Sequence, residues 1–406
     1  MIQPRLHATG RHLAAAVLLT VMAPTAAAEV TEPRFEAQTI DDNIRIGYGL
    51  AIGDVNGNGR DDILLADARH IVWYENPGQP GEVWNKHLMA QYLTRRDHVC
   101  IAAADITGDG RVEVAVGAQW APVVTSDAEE SGAVFFLVRP EDPTGRWEPV
   151  QLTPHEPTTH RMRWVAGADG RWHLAVLPLH GVGNDPAAAS GDPVRLQLLT
   201  PPAGPEADLR QPWASTFIDT GLNLTHNLDI DHRGRIHLVG RQGQLVLEPD
   251  EPGAADTEEQ ISGGEVRVHG GGAADGGLTV TIEPFHGNQV VVYSKADAGD
   301  GGLRRQLLDD RLNQGHALGV ADFVGLGRPQ VVAGWRNPDR DGRVGIRLYA
   351  PGADDEPWTS HTIDDNEMAA EDLAVADLDG DGRPDIIASG RATRNVVIYW
   401  NRSGAD

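Results

Sequence analysis

The chain has a single cysteine, Cys100. One thiol makes neither a disulfide nor a thiolate cluster, so stability and any metal site must rest on other groups. Aromatic residues are scarce at 5 %, and beyond residue 28 no long stretch repeats its apolar residues at helical spacing. That excludes a helical bundle. No basic stripe offsets the formal net charge of −25, which argues against nucleic acid and against docking on anionic lipid. The one notable apolar run, Leu13 to Met22, is shorter than the roughly 20 residues a membrane span needs. With Arg5 and Arg11 before it and Ala26-Ala27-Ala28 behind it, the segment 1–28 has the form of a secretory signal peptide. The mature chain, 29–406, is therefore expected to be periplasmic or secreted, with no transmembrane segment.

What is abundant is glycine, 47 residues, and much of it falls in one recurring phrase. Asp377-Leu378-Asp379-Gly380-Asp381-Gly382 stands in register with Asp54-Val55-Asn56-Gly57-Asn58-Gly59, Asp105-Ile106-Thr107-Gly108-Asp109-Gly110 and Asp322-Phe323-Val324-Gly325-Leu326-Gly327, with worn copies at Asp169 and Asp231. Each loop lies between two short apolar runs, such as Leu373-Ala374-Val375-Ala376 and Ile386-Ile387-Ala388, the pattern of paired buried strands. A Trp-led alternating phrase (Trp84, Trp147, Trp213, Trp358) and a third run such as Ile71-Val72-Trp73-Tyr74 complete each unit. Four strands per about 40–50 residues is a propeller blade. The units number seven, predicting an all-β, seven-bladed β-propeller. The last lacks an outer strand, and Phe35 to Asn43 nearly duplicates the outer-strand phrase Trp358 to Asn366, so the N-terminal strand is expected to complete the last blade and close the ring. Segments 201–212 and 248–264, rich in Pro, Gly and acids, are expected to be surface excursions.

Oxygens at positions 1, 3, 5 and 9 of a glycine-bent loop can converge on Ca²⁺. Asp377, Asp379, Asp381 and Asp385 fit fully; Asp54, Asn56, Asn58 and Asp62 nearly as well; Asp105, Thr107, Asp109 and Glu113 make a third candidate. The sixth copy has Val324, Leu326 and Gln330 at those positions, and no ion is expected there. These loops resemble the FG-GAP or VCBS repeats of integrin-type and bacterial propellers, a resemblance that bears on fold and ion sites and leaves activity open.

Strand direction then sorts the other side chains. Residues just before a first strand and just after a second strand share the face opposite the Asp loops, and these positions gather seven histidines: His98, His160, His226 and His316 before first strands, His70, His180 and His286 after second strands. Tyr48, Glu371, Trp335, Arg336 and Arg391 share that end. Imidazoles and a carboxylate around one axis suit Zn²⁺ or a similar divalent transition metal, if the rings converge. His180, His226, His286, His316 and Glu371 form the pool of candidate ligands. Tyr48, His98, Trp335, Arg336 and Arg391 are expected to contact substrate. In the third blade, His155-Glu156-Pro157-Thr158-Thr159-His160-Arg161 is too widely spaced, and interrupted by proline, for a helical zinc-protease motif. A turn presenting an imidazole, a carboxylate and a guanidinium to the axis fits better.

This phrase, with Leu179-His180-Gly181, Thr225-His226-Asn227, Phe285-His286-Gly287 and Gly315-His316-Ala317, resembles the propeller domain of the aldos-2-ulose dehydratase family. The resemblance implies metal-assisted elimination of water from a small carbohydrate, a 2-keto sugar such as 1,5-anhydrofructose. His155 or His160 would then be base or acid, Glu156 would orient it, and Arg161 would lie near the developing oxyanion. The fungal enzyme carries cupin domains after its propeller, and this sequence has none. Two other readings stay open. One is a non-catalytic propeller binding a glycan or protein through Trp120, Trp335 and Arg336; the other is a polysaccharide lyase holding a uronate with Arg161, Arg336 and Arg391.

Overall fold

In the computed structural model the described residues are 32–204, 207–251, 255–258, 260–296, 302–352 and 356–404. The expected signal peptide, 1–28, lies outside them. Apart from one short 3-10 turn at Ala273–Asp275, the regular structure is all strand, and no described helix is long and apolar enough to cross a membrane.

The strands form seven four-stranded antiparallel sheets. Six blades are consecutive in sequence. Their innermost strands are Gly49–Gly53, Cys100–Ala104, Thr159–Ala166, Thr225–Ile230, Glu265–His269 and Gly315–Ala321; Ala370–Ala376 opens the seventh. Each innermost strand packs on the next, and the seventh packs on the first. The ring is closed.

The last blade is built from both ends of the chain. Phe35–Asp41 lies antiparallel to Val396–Asn401, with Phe35 opposite Asn401 and Gln38 opposite Ile398. The Trp400 indole N–H donates to Gln38 Oε1 at 2.8 Å, and the Arg402 amide donates to the Arg34 carbonyl at 2.8 Å. Closure by the N-terminal strand, expected from the duplicated phrase, leaves no open sheet edge at the seam.

The core lies between blades rather than in one central mass, because each sheet buries both faces against its neighbours. Trp73, Trp335 and Trp400 are among its largest fully buried side chains. Third-strand tyrosines pin one blade to the one before it. Tyr74, Tyr349 and Tyr399 donate to Asp41, Asp309 and Asp364 at 2.6, 2.9 and 2.9 Å, each carboxylate ending or nearly ending the preceding blade's outer strand. One expectation needs correcting. The acidic stretch 248–264 is not only a surface excursion, since Ala255–Glu258 within it is the outer strand of the fourth blade, paired with Gly243–Leu247.

Candidate metal centre on the axial face

Four innermost strands begin with a slip in register. The slips fall between Thr159 and Arg161, Thr225 and Asn227, Gly315 and Ala317, and Ala370 and Asp372. The skipped residues are His160, His226, His316 and Glu371. A bulged residue leaves the ladder, so its side chain can be re-aimed without breaking the alternation that buries the rest of the strand. The same end of the propeller carries backbone strain. Thr158, Phe285 and Gln314 hold left-handed φ values of 57°, 49° and 55°, unfavourable for non-glycine residues and most of all for a β-branched one. Each lies within two residues of His160, His286 or His316.

Three imidazoles converge there. His226, His286 and His316 each offer a ring nitrogen within 4.8 Å of the others', and the Nε2 atoms of His226 and His286 are 2.5 Å apart. Two of the far nitrogens are anchored. His226 Nδ1 faces the Gly264 carbonyl at 3.2 Å and the Glu265 carboxylate at 3.0 Å; His316 Nδ1 donates to the Glu371 carbonyl at 2.5 Å. A proton held on Nδ1 leaves the Nε2 lone pair free to ligate. Burial favours the neutral rings and lowers the affinity of all three for protons: His286 is pushed down to about 2, with His226 and Arg336 adding to the effect, and His316 and His226 are also lowered. Burial works against the Glu265 carboxylate, yet His226, Arg161 and Arg267 hold it well below the usual range.

His160 adjoins this cluster. Its ring centroid is 4.4 Å from that of His226, and it stacks on Trp120 at 4.9 Å. Its Nδ1 donates to the His226 carbonyl at 2.9 Å, while Nε2 accepts from the buried Arg161 at 3.2 Å. Burial and Arg161 keep the ring neutral.

Other candidates lie elsewhere. His155 and Glu156 are not brought to the axis with His160 and Arg161. His155 Nε2 is 3.4 Å from Gln151 on the outer strand of the second blade, and Glu156 pairs with Arg195 on the third strand of the third blade. The turn at Thr158 separates the two halves of the phrase. Glu371 reaches the face but is clamped by Arg336 at 3.0 Å and Arg391 at 2.6 Å, so its carboxylate is spent on guanidinium groups. Arg391 in turn lies 5.6 Å from the centroid of the Tyr48 ring, whose hydroxyl donates to Asp97 at 3.2 Å. His180 is buried with Nδ1 unpartnered, and it does not join the convergent three. His98 is fully buried, with Nδ1 on the Asp67 carbonyl at 3.1 Å and Nε2 near the Leu93 amide at 3.4 Å, which leaves no nitrogen for substrate. Trp335 is a core residue whose N–H donates to the Arg343 carbonyl at 2.8 Å.

Of the three acidic loops, only the seventh gathers three carboxylates, those of Asp377, Asp379 and Asp385. Asp381 departs from the expected set and pairs with Arg383. In the first loop, Asp54 accepts from the Gly57 and Gly59 amides at 2.7 Å each, Asn56 donates to Glu75 and Asn58 accepts from the Arg60 amide. Asp62 is fully buried and accepts from the Val55 and Asn76 amides. In the second loop, Asp105 binds loop amides, while Asp109 and Glu113 share Arg139 at 3.0 and 3.3 Å. Thr107 has no assigned partner among the described residues. Glu265 escaped the sequence reading, although it opens the fifth innermost strand and the strand-end rule applied to it equally.

Residues 54–116 match the FG-GAP-like repeat, spanning the loops of the first and second blades. No curated protein sequence matches the chain, so the likeness to aldos-2-ulose dehydratases rests on the sequence phrases alone. Among solved structures, the chain is similar to the virginiamycin B lyase from Staphylococcus aureus, at 11 % identity and a TM-score of 0.55, covering 91 % of this chain and 99 % of the other. It is also similar to BBS1N, solved in complex with ARL6DN, at 11 % identity and a TM-score of 0.56, covering 93 % and 99 %. YCF48 from Cyanidioschyzon merolae follows at 10 % identity and a TM-score of 0.51, covering 89 % and 98 %. One of these neighbours is named as a lyase and another was solved bound to a partner, and at such identities the likeness is one of fold.

Proposed function

We propose that this propeller is a metal-dependent lyase that removes water from a 2-keto sugar, with His226, His286 and His316 as metal ligands. The observation that carries the reading is the convergence of three neutral imidazoles, two of them with anchored far nitrogens. Three protein nitrogens suit Zn²⁺ or a similar divalent transition metal, whose catalytic sites keep a fourth position for water or substrate, and the Glu265 carboxylate and backbone carbonyls behind them are the outer contacts such ligands use. When bound, the ion would supply a Lewis acid for the ketose carbonyl oxygen.

The chain's own groups account for the rest. His160 is oriented by the His226 carbonyl and by Trp120, and its unprotonated Nε2 is the base for the C–H beside the carbonyl. Substrate displaces Arg161 from Nε2, and the guanidinium then donates to the oxygen that gains charge. The proton taken by His160 returns to the departing β-hydroxyl, so the net product is one water and an unsaturated ketone. Glu371 positions rather than reacts: its carbonyl holds His316, and Arg336 and Arg391 hold its carboxylate. Calcium in the seventh loop and export beyond the cytoplasm belong to the same proposal, since three convergent carboxylates suit a hard cation.

The test is elemental analysis of the purified protein beside a His226→Ala/His316→Ala variant, with a keto-sugar screen followed by ultraviolet absorbance of the enone. Near-stoichiometric transition metal in wild type, lost in the variant while calcium stays, is expected. Calcium alone in both proteins would remove the basis of the proposal.

A further inference from the structure

Further along the innermost strands from the histidines, these strands line a half-open axial channel with a volume of about 450 Å³. Its wall is mostly apolar, from Leu50, Ile52, Leu318 and Val375 among others, but Arg163, Arg267 and Asp229 also line it. These three lie on the strands that carry Arg161, Glu265 and His226, two or three residues further along, which sets them about 7–10 Å along their strands from those residues.

The two arginines are underused. Each is half-buried. Arg163 donates to the neighbouring Met162 carbonyl at 3.2 Å and Arg267 to the Val266 carbonyl at 2.7 Å, and among the described residues no carboxylate oxygen comes within 4.0 Å of either guanidinium. The acids nearby are occupied elsewhere: Asp229 accepts from the Val268 amide at 2.9 Å, and Asp372 from the Leu50 and Leu373 amides at 2.8 and 2.9 Å. Burial, followed by the neighbouring charge of Arg267, lowers the Arg163 guanidinium's hold on its proton, against the opposing pull of the Asp229 and Asp372 carboxylates. Two like charges share one half-open channel, offset in part by Asp229 and Asp372, and each keeps most of its five N–H groups unspent, so an oxyanion can join them.

We infer that Arg163 and Arg267 form an oxyanion site in the axial channel, for a carboxylate or phosphate group that guanidinium forks can grip by two oxygens at once. The site needs no metal and is independent of the lyase reading. Its ligand is either a free anion or the charged end of a polyhydroxylated small molecule.

The experiment is calorimetric titration of the full chain with inorganic phosphate and, separately, with D-gluconate at constant ionic strength, on wild type, Arg163→Met and Arg267→Met. Saturable binding of at least one probe is expected, weakened at least tenfold in each variant. Preference for gluconate would point to a sugar acid, and preference for phosphate to a free or esterified phosphate. Binding absent from wild type, or undiminished in both variants, would overturn the inference. Should a methionine variant fail to fold, Arg163→Lys replaces it, keeping the charge and losing the fork; weaker binding is expected there too, and unchanged affinity would overturn the site.

Discussion

At the scale of single residues, linear neighbours part company and distant ones meet. His155 and His160 are five apart in sequence, yet one rests against an outer strand and the other against His226. Their substitutions should therefore differ. His160→Ala is expected to lower keto-sugar turnover by about 10²–10⁴-fold, the usual worth of a positioned acid–base group, with metal content retained; His155→Ala should leave turnover nearly unchanged. Equal losses in steady-state assays of the two would contradict the assignment. The strand-end rule put His226, His286 and His316 on one face from sequence alone. It could not tell them from His98, because which nitrogen a ring spends on a backbone carbonyl depends on contacts between blades. The same rule put Glu371, Arg336 and Arg391 at one end although they lie 35 and 20 residues apart, but the clamp between them is a matter of side-chain contact.

At the scale of the element, the repeated strands were legible because alternation and turn residues are local, whereas the bulges were not. A bulge adds one residue to one strand, and its presence is defined only against a partner whose register the sequence does not print. The outer strand Ala255–Glu258 was hidden for a different reason: with an exposed Asp256 and a half-buried Glu258, the short acidic run looks like a loop. The tyrosine staples are a feature of the third strands, and Tyr399→Phe tests one. Loss of the bond to the Asp364 carboxylate should destabilise the protein by about 1.5–3 kcal/mol, seen as a lower urea midpoint with an unchanged denaturant slope. No shift in midpoint would mean that the staple contributes nothing.

For the whole molecule, several buried histidines give stability a common dependence on pH. Burial pushes His98 down to about 4, against roughly 6.5 when unfolded. Between those values the unfolded chain binds the proton and the folded one refuses it. Stability is thus unaffected by this residue above about pH 6.5 and falls as pH drops towards 4, by about 1.4 kcal/mol per pH unit for one such group. Denaturation midpoints across this window should show a shallower slope, by one proton, in His98→Gln than in wild type; parallel slopes would reject the assignment.

The seam in the seventh blade has a mechanical consequence. Because Phe35 lies opposite Asn401 and the strands run antiparallel, tension applied between Arg34 and Arg402 meets the seam at one end and loads its hydrogen bonds one pair after another. The molecule would peel open there like a zip, starting from the pair nearest the pull, while the six blades formed from consecutive strands still held.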